Sequence, residues 1–167
     1  MASIDPTELS TLFDAHGAGL VLYARQWLET AAAEDVVQDV FVQLMAQRRP
    51  PEKVKAWLFC SVRNAAISEL RLRRRRHTHE ERSTAGRARW FEDRPEALID
   101  GATAEATLAS LPDEDREIVV LRIWGGMTLQ EIAETVGSPV STVFHHYRAG
   151  LAAIRRRLES SCRAKNG

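Results

Sequence analysis

Apolar residues recur along this chain at steps of three and four, and nowhere do they alternate with polar ones between turn pairs. That pattern calls for helices and leaves no material for a sheet. A first helix is expected over residues 7–28, with Leu9, Leu12, Phe13, Leu20, Tyr23, Ala24 and Trp27 turned inward and a kink at Gly17 or Gly19. A second begins near Ala33 and carries Val36, Val37, Val40, Phe41, Leu44 and Met45 at the spacing of a buried stripe. Arg48-Arg49-Pro50-Pro51 ends it, because proline disfavours helical backbone in the residue before it. A third helix, over 54–75, buries Leu58, Val62, Ala65 and Leu70. From 77 to 100 the periodicity fails, with only Trp90, Phe91, Leu98 and Ile99 as scattered apolar anchors, and the segment reads as a flexible linker. Periodicity resumes over 104–111. Pro112-Asp113-Glu114 then opens a helix through proline in its first turn and acidic residues at its dipole, and Gly125-Gly126 stops it at Trp124. The expected fold is all-α, with helical domains over 5–76 and 101–160 joined by the linker 77–100.

The most specific local signal lies inside the second domain, between Thr128 and Val143. Thr128 and Glu131 have the spacing of a capping box, and Ala133 is small where a second helix must cross closely. Gly137 supplies the turn, after which Ser138 is placed to cap a new helix that has Pro139 as its first residue. These features specify a helix-turn-helix, whose second helix is the usual reader of a DNA major groove. On that helix Val140, Val143, Tyr147, Leu151, Ile154 and Leu158 are expected inside. Ser141, His145, Arg148 and Arg155 lie on an adjoining outer face, with Thr142, His146 and Arg156 beside them.

The formal net charge of +0 conceals a strong alternation along the chain. Residues 1–52 hold 3 basic and 8 acidic side chains, 53–90 hold 11 and 3, 91–117 hold 2 and 9, and 118–167 hold 7 and 3. Two basic segments separated by an acidic one suggest two polyanion-binding surfaces. The longest apolar runs are far shorter than the roughly 18 residues that cross a bilayer, and no basic segment leads into an apolar stretch at the N-terminus. No membrane span and a cytoplasmic location are therefore expected. Cys60 and Cys162 show no CxxC spacing and are expected to stay reduced. His145 and His146 point about 100° apart on a helix and no carboxylate or thiol completes a ligand set, so no metal and no cofactor are expected. No Ser-His-Asp arrangement or glycine-rich phosphate loop is present, which argues against an enzyme. On these features alone a conventional helix-turn-helix regulator and a protein-interaction adaptor remain open.

Two further segments narrow the choice. Glu34-Asp35-Val36-Val37-Gln38-Asp39-Val40-Phe41, with Lys55-Ala56-Trp57-Leu58-Phe59 and Arg63-Asn64, resembles the second region of extracytoplasmic-function sigma factors. Residues 111–157, including Pro139-Val140-Ser141-Thr142-Val143, resemble their fourth region. The resemblance implies a subunit that binds core RNA polymerase, through the β′ clamp helices and the β flap, and directs it to promoter DNA. It also implies partners of the anti-sigma kind. Position by position it implies Asp35, Gln38 and Asp39 as polymerase contacts. Lys53, Lys55, Trp57, Arg63, Asn64, Ser68 and Arg71 are implied at the minus-ten element, and Thr128, Ser141, Thr142, Phe144, His145 and Arg148 at the minus-thirty-five element. The sequence departs from the family where basic residues often follow Thr-Val, since Phe144-His145-His146 stand there.

Overall fold

The computed structural model describes residues 4–79 and 106–165, which hold helices and short connections and no strand, in two compact units. The N-terminal unit packs α1 (Pro6–Ala24), α2 (Thr30–Met45) and α3 (Val54–His79). Asp5 caps α1 by accepting from the Thr7 N–H at 3.4 Å, and Pro6 occupies the first turn, where its missing N–H costs nothing. Helix α1 ends four residues earlier than expected. Arg25, Gln26, Trp27 and Leu28 instead form turns held by the carbonyls of residues 21, 23 and 24, and these swing Leu28 into the core.

Leu20 and Tyr23 from α1, Val37, Val40 and Leu44 from α2, and Leu58, Phe59 and Val62 from α3 are almost wholly buried. Tyr23 is the hub of this core, with ring centroids 5.1 Å from Trp27 and 5.6 Å from Phe59. Three expectations are corrected here. Phe13 and Met45 lie on the surface, 46% and 52% exposed, although one side of the Phe13 ring packs edge-on against Phe41 at 5.1 Å between centroids. The inner stripe of α3 is Leu58, Phe59, Val62 and Ala66, while Ala65 and Leu70 are only half-buried. The helix also continues through His79, past the expected start of the linker. The remainder of the linker, with its apolar anchors, lies outside the described residues.

The C-terminal unit comprises a helical turn at 106–109, α4 (Asp113–Ile123), α5 (Leu129–Val136) and α6 (Val140–Lys165). Leu108, Leu111 and Val119 form a small core that Tyr147, Ala153 and Ile154 close from α6. Helix α5 opens on the expected capping box. The Thr128 hydroxyl accepts from the Glu131 N–H at 3.2 Å, and the Thr128 N–H donates to Glu131 Oε2 at 2.8 Å. It ends at Gly137, whose φ of +71° is left-handed backbone that a Cβ would strain. Helix α6 starts one residue later than expected. The Pro139 carbonyl accepts from the Val143 N–H, so Pro139 rather than Ser138 holds the capping position.

Candidate functional site

Three polar faces are presented by these helices, two on the N-terminal unit and one on the C-terminal unit. On α2, Asp35, Gln38 and Asp39 are exposed on the side opposite buried Val37, Val40 and Leu44. On α3, Asn64, Ser68 and Arg71 are exposed in a row with Arg75, while Lys55, Trp57 and Arg63 are half-buried nearer its start and Lys53 is exposed just before it. Asn64 also donates weakly to Cys60 Sγ at 3.8 Å. Within the arginine run 73–76, one member does a different job. Arg73 donates to Glu69 Oε1 and to Glu29 Oε1, each at 2.8 Å, which ties the C-terminal half of α3 to the start of α2. These hydrogen bonds, Glu69 first, hold its pKa above the ordinary arginine value. The spacing of Arg73 from Glu69 was visible in the sequence, but its reach to Glu29 depends on the tertiary fold.

On α6 the outward residues are Ser141, Thr142, Phe144, His145 and Arg148. Thr128 stands apart from them at the start of α5, exposed and engaged in its cap. His146, expected beside the outer face, is turned inward. Its ring Nδ1 lies 2.6 Å from Asp115 Oδ1 on α4, within hydrogen-bond distance. The true inner stripe of α6 is therefore Val143, His146, Tyr147, Gly150, Ala153 and Ile154. Val140, Leu151 and Leu158, expected inside, are exposed because the buried stripe is turned toward His146, Gly150 and Ala153, which leaves these three at its border. A cysteine pairing plays no part, since both thiols are free. Among the described residues no group of His, Cys, Asp and Glu could hold a metal, and no helix is long and apolar enough to cross a membrane.

Comparison with known families matches both units. Residues 12–76 fit Sigma-70 region 2, and residues 103–154 fit Sigma-70 region 4. A relative from Mycobacterium tuberculosis, the ECF RNA polymerase sigma factor SigL, is 29% identical, with 95% of this chain and 93% of that protein aligned. This chain is an extracytoplasmic-function sigma factor. RNA polymerase sigma factor YlaC of Bacillus subtilis is also similar, at 28% identity over 74% of this sigma factor and 76% of its own length. Among solved structures, CnrH in complex with the cytosolic domain of CnrY has a TM-score of 0.61 at 25% identity, covering 95% of this chain and 92% of that one. RpoE in complex with the anti-sigma factor NepR from Bartonella quintana has the same fold, with a TM-score of 0.68 at 20% identity over 90% and 95% of the two chains.

One titratable group of this sigma factor borders the polar face of α3. Burial, and secondarily the Lys55 ammonium, hold the His16 imidazole below its ordinary pKa of 6.5. The folded state thus binds this proton less readily than the unfolded chain does. His16's contribution to stability is complete above pH 6.5 and declines as pH falls through that value. In an NMR titration the His16 ring should show a midpoint below 6.5, and Lys55→Gln should raise it only part of the way. A full return in that variant would mean that charge, not burial, is the main cause.

Proposed function

We propose that this sigma factor divides its work between the two units, over the domains 5–76 and 101–160. The observation that carries the reading is the opposite chemistry of two faces on one three-helix unit: acidic on α2, basic and polar on α3. The acidic face, Asp35, Gln38 and Asp39, docks on the β′ clamp helices of core RNA polymerase. Helix α3 and the residues before it engage the minus-ten element. Lys53, Lys55, Arg63 and Arg71 supply positive potential, while Trp57, Asn64 and Ser68 supply the stacking and polar groups that hold an extruded base. Extrusion costs a few kcal/mol, which such a surface offsets. The C-terminal unit binds the β flap and places α6 in the major groove of the minus-thirty-five element, with Thr128 at its approach. The factor acts in the cytoplasm without bond chemistry of its own and without a cofactor. The complex of RpoE with the anti-sigma factor NepR supports a partner of the anti-sigma kind for this chain as well.

Transcription from genomic fragments by core polymerase, with and without the protein, tests the reading as a whole. Promoter-specific transcripts should require both. Asp39→Arg should weaken core affinity about tenfold without moving the unfolding curve, since it reverses an exposed charge and makes no cavity. Unchanged affinity in a titration would remove α2 as the docking face.

A further inference from the structure

With His146 withdrawn to Asp115, the outer face of α6 is reduced to few groups, and two of them are organised against each other. Arg148 lies one turn beyond Phe144, and its Cζ sits 5.8 Å from the centroid of the Phe144 ring. Phe144 is 47% exposed, so the ring is not held there by the core. A guanidinium resting on an aromatic face is restrained in direction while the N–H groups along its edge stay available. Guanine presents O6 and N7 to such a fork in the major groove. Thymine presents its C5 methyl, which suits the apolar edge of a phenyl ring. Phe144 lies in the first turns of α6, the end of a reading helix that meets base edges.

We propose that Phe144 and Arg148 read DNA as one unit, Arg148 taking a guanine and Phe144 the methyl of a thymine beside it, while the ring keeps the guanidinium aimed. Phe144 is then a positioning residue for Arg148 as well as a specificity residue in its own right. The inference rests on the reading of α6 as the promoter-reading helix, and the test separates the two.

Holoenzyme assembled from core polymerase and the full chain is used to transcribe a promoter library randomised across the upstream element. The wild type should select a guanine with a neighbouring thymine. Phe144→Leu keeps an apolar contact but has no ring, so it should retain the thymine and lose about threefold to fivefold of the guanine preference. Phe144→Ala should lose the thymine preference and the same share of the guanine preference, and Arg148→Ala should lose about tenfold or more of the guanine preference. The double variant Phe144→Ala with Arg148→Ala should discriminate guanine no worse than Arg148→Ala alone, because the two act together. Deoxyuridine in place of the selected thymine should slow the wild type and leave Phe144→Ala unaffected. Selection of no such pair by the wild type overturns the proposal. So does a guanine preference that survives undiminished in both Phe144 variants while Arg148→Ala still relaxes the element, a result that leaves α6 as the reader. If no variant alters upstream preference, α6 is not the reader and the assignment of the C-terminal unit falls with it.

Discussion

Gly150→Val should unfold the C-terminal unit and leave the N-terminal one standing. Gly150 is buried where α6 crosses α4, and a Cβ there would lie 2.7 Å from Val119 Cγ2 and 3.4 Å from the Asp115 carbonyl oxygen. Neither neighbour yields readily. Val119 is fully buried and, being β-branched, is stiff about its first torsion, while the carbonyl belongs to the backbone of α4. Overpacking of a closed core costs about 1–3 kcal/mol and occasionally more, and valine adds two methyl groups beyond the Cβ that already collides. A domain of about 60 residues has only a few kcal/mol to lose. Thermal unfolding followed by circular dichroism should lose the transition of this unit and keep the other. Core polymerase should still be retained, and dependence on the upstream promoter element should disappear. An unmoved transition would show that α4 and α6 separate without cost, and that their close crossing does not hold the reading helix.

Leu58→Ala should have the complementary effect and remove the N-terminal unit's share of binding to core polymerase. Leu58 is fully buried beside Phe59 and one turn before Val62, where α3 meets the aromatic hub at Tyr23. Truncating such a leucine removes its transfer free energy and leaves a cavity, at a cost of about 2–5 kcal/mol. The loss should appear in the unfolding curve and in core affinity together, whereas Asp39→Arg should change affinity alone. Retention of full core affinity by Leu58→Ala would mean that the docking face does not need the closed three-helix core.

The all-helical fold and the turn chemistry were legible in the sequence because they are local. The capping box of Thr128 and Glu131 and the left-handed Gly137 depend on residues three to nine apart and form as expected. What was not legible depends on partners distant in sequence. Phe59 and Ala66 are buried because α3 must face both α1 and α2, which widens its apolar face beyond one stripe. Leu151 and Leu158 keep the period of a core helix, yet nothing in that period reveals that the buried stripe is turned toward Gly150 and Ala153, which leaves them at its border. His146 misleads for a similar reason. A histidine next to His145 in a basic helix reads as surface until Asp115, 31 residues earlier, is placed 2.6 Å from its ring.

That pairing limits how promoter preference can be transplanted. Chimeras that move only the outward residues Ser141, Thr142, Phe144, His145 and Arg148 into another factor would leave the seating of the helix to the recipient. Chimeras that move the continuous segment 141–148 would import His146 without its carboxylate, unless an acid stands at the position equivalent to Asp115. The imidazole would then stand part-buried in the interface without its hydrogen-bond partner, and the seating of the helix on α4 would weaken. Here the smallest transferable module is discontinuous, the reading segment together with residue 115 on a separate helix.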